Sequence, residues 1–436
     1  MTACAIEDGT AEAAGTGETV EPESDEPDGA ATAPDPAGGP AHPVEPPMPV
    51  EPPGEPPEQV PAETVLPTFT LTADGAYGAR LATARGADAR TAWFAERWTL
   101  DGPEPYAVPL PMDQPEEAGS RVVPLADGRV LIQRRADGRH SFSLLYPTGP
   151  GTGELPLGAV ECDGLTLLPP SPDGRSVYAL STGPYSTGLW LVAGGAFGPE
   201  HLADLPGHCS GGVWLDRAGR LLALDREPAG GGPVKAVAVD LGRGAEMTPL
   251  LQIAPDSDDR LLLADPDSGL LLIRSDAPGH DRIGWGVLGS CLPVRFPECL
   301  RLPDAAVTPF AVQPGQMLMP ESCAVALRID AAAGSWAGIW RPSDRRLHQL
   351  AAPEGWLAGS GVWSRDGVLK LPYADGETDC AVALLTVPAD LGAAGEAAPA
   401  ACAESGTQPS AAGAPPPVCR PVPLGQAPLV GRTASD

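Results

Sequence analysis

Carboxylates recur in short clusters between apolar runs: Asp113, Glu116 and Glu117; Glu161 and Asp163; Asp256, Asp258 and Asp259; and the single Glu354. His208 and Cys209 form another polar spot. Clustered carboxylates can hold a cation, take a cationic ligand or move protons, but acid–base and nucleophilic chemistry also needs a base or nucleophile at matched spacing. Those partners are missing. His140, His201, His280 and His348 stand apart from the clusters. Imidazole and thiolate at His208-Cys209 suit a metal, yet no second ligand pair is spaced to complete a shell. The reading is no catalytic residue, no metal and no cofactor. The nine carboxylates and His208 remain as a candidate binding face for a cation, a basic peptide or a cationic ligand. The plainer account is a generally acidic surface without a site.

Other suggestive stretches fail on context. "GPGTG" (Gly149–Gly153) resembles part of a phosphate loop but joins two strand-like runs, without the helix whose N-terminus would hold an anion. Trp190, Trp214, Trp285, Trp340 and Trp363 fall inside predicted strands, where packing is the ordinary role of a large aromatic and sugar stacking the alternative.

The elements that must position these residues are legible in two consecutive units, Cys162 to Gly207 and His208 to Ala254. Each is four short apolar or alternating runs separated by Gly, Pro, Asp and Ser, the pattern of a four-stranded meander. The units superpose run by run, and self-similarity at this period marks a repeat architecture. Further units begin at Leu66, at Arg121, at Asp259, at Gln316 and at Gly359, with "VTPFAVQPG" (Val307–Gly315) closing the fifth. Glycines of the first hairpins give a ruler: Gly75, Gly128, Gly174, Gly219, Gly269 and Gly367, with the last gap holding one further unit. The expected fold is an all-β, seven-bladed β-propeller, six or eight blades being the alternatives, behind a disordered, acidic, Pro-rich N-terminal tail.

The expected organisation is a tail over 1–64, the propeller over 65–387, a low-complexity disordered insertion over 388–417, and a disordered C-terminus over 429–436. Residues 418–428 ("VCRPVPLGQAP") resemble the fourth runs of the first two units and are expected to return as the outer strand of the last blade. The tail reads as a Pro-rich docking segment, a spacer or a passive extension.

Composition limits the partners. The formal charge is −29, and residues 1–65 hold fifteen acids with no Lys or Arg. Such a surface repels phosphate backbones, which argues against nucleic acid. Every base is Arg except Lys235 and Lys370. The nine cysteines form no C-x-x-C and read as reduced, small hydrophobes. No run is long enough for a membrane span, and "MTACAIEDGTAEAAG" lacks the basic and apolar regions of a secretory signal. The expectation is a cytoplasmic monomer with a protein or peptide partner.

"SPDGRSVYALS" (Ser171–Ser181) is similar to the repeat of TolB-like and prolyl-oligopeptidase-type propellers, and "LDRAGRLLALD" and "SRDGVLKLPY" are degenerate copies. In serine peptidases of that type, the resemblance implies, a separate α/β-hydrolase domain supplies the nucleophile in G-x-S-x-G. No serine here has that spacing, and "GHCSGG" (Gly207–Gly212) lies between strands rather than on a strand–helix elbow. Three functions follow as expectations. The first is a non-catalytic platform for a protein or peptide. The second is the propeller half of a serine-peptidase-like system without its hydrolase domain. The third is a propeller lactonase or lyase with its site in the channel mouth.

Overall fold

The structure is a computed structural model that describes residues 69–85, 91–315, 319–375, 378 and 380–386. The tail over 1–64, the insertion over 388–417, the returning strand over 418–428 and the C-terminus lie outside the described residues.

Strands dominate, and they form consecutive antiparallel meanders. The first sheet holds β1 (Thr70–Leu71), β2 (Tyr77–Arg85), β3 (Thr91–Thr99) and β4 (Tyr106–Leu110). The second holds β5 (Arg121–Pro124), β6 (Val130–Ala136), β7 (Arg139–Pro147) and β8 (Thr152–Glu161). The third holds β9 (Leu165–Leu167), β10 (Val177–Thr182), β11 (Ser186–Ala193) and β12 (Glu200–Pro206). Next come β13 (His208–Trp214), β14 (Leu221–Glu227), β15 (Lys235–Asp240) and β16 (Glu246–Pro249). One parallel pairing, Lys235 with Asp259, joins that meander to β17 (Asp259–Ala264), β18 (Leu270–Ser275) and β19 (Arg282–Val287). Then follow β20 (Ala305–Val312), β21 (Val325–Ala331), β22 (Gly334–Trp340) and β23 (His348–Leu350). The last sheet is β24 (Val362–Trp363), β25 (Val368–Tyr373) and β26 (Ala381–Thr386).

Two boundaries differ from the sequence reading. "VTPFAVQPG" does not close the fifth meander: Ala305–Val312 opens the sixth as β20. The fifth has instead a single bridge, Trp285 to Arg295, where a fourth strand was expected. Pro293 and Pro297 flank that bridge, and a residue without an N–H cannot extend a ladder. The stretch expected to open the sixth unit, "QMLMPES", ends in a 3-10 turn over Pro320–Ser322.

Strand periodicity explains how the sheets stack. In β21, Val325, Leu327 and Ile329 face the preceding meander, while Ala326 faces the following one, and all are fully buried. In β18, Leu270 and Leu272 point one way and Leu271 and Ile273 the other. A strand covered on both sides reads as a continuous apolar run, and a period of two sends alternate residues to opposite neighbours. Each meander shares one apolar cluster with the next, from Leu81 with Ile132 through to Ile339 with Leu369. The last sheet then meets the first. Trp98 and Leu100 pack with Cys380, Leu357 and Val382, and Ser360 Oγ donates to Phe69 O at 3.1 Å. First strands also neighbour one another, β1 with β5, β13 with β17, β17 with β20 and β20 with β24. This is the arrangement of a β-propeller, with the first strand of each sheet innermost.

Glycines at the first hairpins hold the sheets in step. Gly174 has φ +68°, a conformation that costs Gly little, and its carbonyl accepts a 2.8 Å hydrogen bond from Ala126 N of the preceding sheet. A Cβ at Gly174 would stand 2.4 Å from the Ala126 Cβ. Asp173, one residue earlier, accepts from the N–H groups of Arg175 and Ser176 and closes the turn.

Candidate functional site

Because each meander is antiparallel, its second-to-third hairpin and its exit toward the next sheet emerge on one face. The second strands run toward that face, and several change character as they arrive. "VLIQRRA", "LLALDRE" and "LLLIRS" are apolar runs that end in charge, at Arg134, Asp225 and Arg274. All ten residues of the expected binding face belong to the same end.

The structure separates those ten by role. Asp113, Glu117, Glu161, Asp163, Asp256 and Glu354 are exposed, and they are distributed around the ring rather than gathered. His208 is half-buried and begins β13, paired with Glu227, instead of lying in a loop. Asp258 accepts from Val234 N at 2.8 Å, while its own N–H donates to Asp276 Oδ1 at 2.8 Å.

Glu116 and Asp259 are not available to a guest. Glu116 is buried and takes a two-pronged contact from Arg134, at 2.7 Å for both Nε and Nη2, while Arg134 Nη1 reaches Glu154 at 2.6 Å. Glu116 also bridges by its backbone to Trp93, so it ties the loop after β4 to two sheets. Asp259 is fully buried. Its carboxylate accepts from Lys235 Nζ at 2.7 Å, Ser257 Oγ at 2.8 Å, Ser275 Oγ at 2.7 Å and Ile253 N at 2.9 Å. A buried carboxylate with every lone pair occupied is a fastening, here between β15 and β17.

Sequence reasoning missed a cluster beside this fastening. Asp225, near the end of β14, is 8 % exposed and accepts from Leu261 N at 3.1 Å, with Arg260 Nη1 at 3.8 Å. Burial pushes its carboxyl up to about 6, against the lowering by the Leu261 N–H and Arg260. Arg260 and Arg274 are direct cross-strand partners. Beyond Arg274 a cavity of about 250 Å³ opens toward the sixth sheet, lined by Arg274, Asp281, Arg282, Arg301, Leu300 and others. The only available signal was positional: a charged residue at the end of an apolar second strand. Cluster spacing in the sequence could not show it, because Asp225 and Arg301 come from different meanders.

No group of His, Cys, Asp and Glu among the described residues is arranged to hold a metal ion. His140 is buried against Gln133, with Nδ1 2.9 Å from Gln133 Nε2, and burial and Arg135 lower its basicity. Among the described residues no helix is long and apolar enough to cross a membrane.

No family model matches the chain, and no curated protein matches it by sequence. Solved structures similar to it are propeller domains of serine peptidases and TolB. The β-propeller domain of the Trilobed protease from Pyrococcus furiosus aligns at 9% identity and TM-score 0.48, over 73% of this chain and 92% of that one. A puromycin-hydrolyzing peptidase of Mycobacterium tuberculosis aligns at 17% identity and TM-score 0.45, over 73% of this chain and 51% of that one. TolB from Acinetobacter baumannii aligns at 12% identity and TM-score 0.38, over 72% of this chain and 78% of that one. The chain thus spans about half the length of the peptidase it matches, and that match leaves the hydrolase domain uncovered.

Proposed function

We propose that the chain is a seven-bladed propeller that holds or meters a peptide for a hydrolase unit outside these residues. The observation that carries the reading is the mixture of charge on the hairpin face. Exposed acids are spaced around the ring, and Arg260, Arg274, Arg282 and Arg301 gather beside Asp225 and Asp281 at one sector. An extended peptide carries both signs, and a mouth offering both can orient it, whereas a uniformly acidic face attracts only cations. The count of seven rests on the run of shared apolar clusters, one per neighbouring pair of meanders and one between last and first. The "SPDGRSVYALS" repeat is in keeping with a peptidase-type propeller.

A second reading is a monomeric platform for a basic protein or peptide, favoured by the exposure of Asp113, Glu117, Glu161, Asp163, Asp256 and Glu354 on one face. Affinity capture from the native cell, followed by labelling with a fluorophosphonate serine-hydrolase probe, separates the two. The first reading expects a labelled protein whose peptide hydrolysis changes several-fold when the purified chain is added. Capture of a basic protein with no labelled hydrolase, lost on Asp256→Asn with Glu354→Gln, would overturn it in favour of the platform.

A further inference from the structure

The cavity between the fifth and sixth meanders is built against the charge of the rest of the protein. Three arginines and one aspartate line it, in a chain whose formal charge is −29. Arg282 is fixed: Nη1 donates to Glu298 Oε1 at 2.7 Å and Nη2 to Phe296 O at 3.2 Å, and its side chain is largely buried. Arg274 is less committed, with Asp281 at 3.7 Å and Val307 O at 3.4 Å. Arg301 is exposed at the rim, and its guanidinium enters no ion pair among the described residues. Behind Arg274, directly across the ladder, stands Arg260.

Like charges opposite one another on a sheet repel, and a guanidinium that spends few of its five donors is poised for a planar oxyanion. Each of three arginines meets one acid, Arg260 with Asp225 at 3.8 Å, Arg274 with Asp281 at 3.7 Å and Arg282 with Glu298 at 2.7 Å, which leaves the charge of Arg301 unmatched among the described residues. Asp225 lies against Arg260 on the side of the fourth meander, and Glu298, which meets Arg282, is mostly in water. The cavity floor is apolar, with Ile283, Leu300 and Val307, so the dielectric around a bound anion is lower than in bulk water. A volume of about 250 Å³ lies below the roughly 300–1,000 Å³ of pockets that enclose a drug-sized ligand, and it is enough for an acidic end-group.

We infer that this cavity is an oxyanion site, taking the carboxylate or phosphate end of an acidic ligand between Arg274 and Arg301. Arg282 forms the rigid wall, and Asp281 at the rim weakens binding by competing for Arg274. The inference goes beyond the peptide reading and stands whether or not a hydrolase works beside the propeller.

The test uses the full chain, with succinate and inorganic phosphate as probes and choline chloride as the ionic-strength control. Calorimetric titration and thermal unfolding are read in parallel. Saturable binding of either anion, with a rise in Tm, is expected; phosphate alone marks a phosphoryl ligand and succinate alone a carboxylate. Arg301→Gln and Arg274→Gln should each weaken binding at least tenfold. Asp281→Asn, at an exposed position that does not threaten folding, should tighten it several-fold. Absence of saturable binding by both anions, or equal affinity in wild type and Asp281→Asn, would overturn the assignment even if the arginine variants fail to fold.

Discussion

Asp225 and Asp259 lie on neighbouring strands, yet their surroundings give them opposite tasks. Asp259 is met by a lysine, two hydroxyls and a backbone N–H, so its charge is offset where it stands. Removing it would leave Lys235 with one fewer anion in a site only 19% exposed. Asp259→Ala is expected to cost about 3–5 kcal/mol, the range for breaking a buried pair on one side. Urea unfolding measures this, and a loss below about 1 kcal/mol would contradict a fastening role. The same variant is therefore unsuited to testing ligand binding, whereas the exposed Asp256 is suited to it.

Asp225 is offset less completely, and its carboxyl is raised to about 6. Below about pH 3 the group is neutral in folded and unfolded chains alike, and it carries no penalty. As pH rises through 6 the folded protein must hold a buried charge that the unfolded chain keeps in water, so stability falls, by up to ~3 kcal/mol. Asp225→Asn keeps an acceptor for Leu261 N–H and removes the titration. The variant should match wild type near pH 3 and exceed it near pH 8. Parallel stability–pH curves for the two proteins would refute the assignment.

At the scale of the element, hairpins decide where one sheet meets the next. Gly174 needs a positive φ and also has no room for a Cβ beside Ala126. Gly244, with the same φ of +68°, has open space around it. Gly244→Ala should therefore cost only the conformational strain, about 1 kcal/mol, while Gly174→Ala should cost more, through both strain and displacement of the preceding sheet. Unfolding midpoints of the two variants give the difference directly, and equal losses would show that the contact with Ala126 yields freely. Second strands carry the other lesson of this scale. Their apolar length sets the core and their last residues set the face, so Arg134, Asp225 and Arg274 are brought to one level by three separate repeats.

For the whole molecule the question is closure. The first sheet is built entirely from the N-terminal part of the described chain and the last from its C-terminal part, and no strand is exchanged between them among the described residues. Side chains hold the join. Trp98 is fully buried, donates from Nε1 to Glu96 at 2.7 Å, meets Phe69 edge-on at 4.8 Å and packs with Cys380 and Leu357. Trp98→Ala should cost about 3–5 kcal/mol, as for a buried aromatic lost from a core. It should also raise hydrogen exchange in Val368–Tyr373 and Ala381–Thr386 before other strands. Exchange rising equally in the third and fourth sheets would show that the ring unfolds as one unit and that the join is no weak point.

The sequence alone determined the repeat, the meander, the turn glycines and the level at which loops emerge, because these follow from local rules of periodicity and positive φ. It also placed ten candidate residues at one end of the fold without telling fastening from surface. Only the tertiary structure decided that Glu116 and Asp259 are consumed by Arg134 and Lys235, that Val307 belongs to the sixth meander, and that arginines of different strands share a cavity. The physical reason is that burial and charge pairing depend on neighbours one repeat away. A strand's own alternation says which way a side chain points, but not what waits on the sheet beside it.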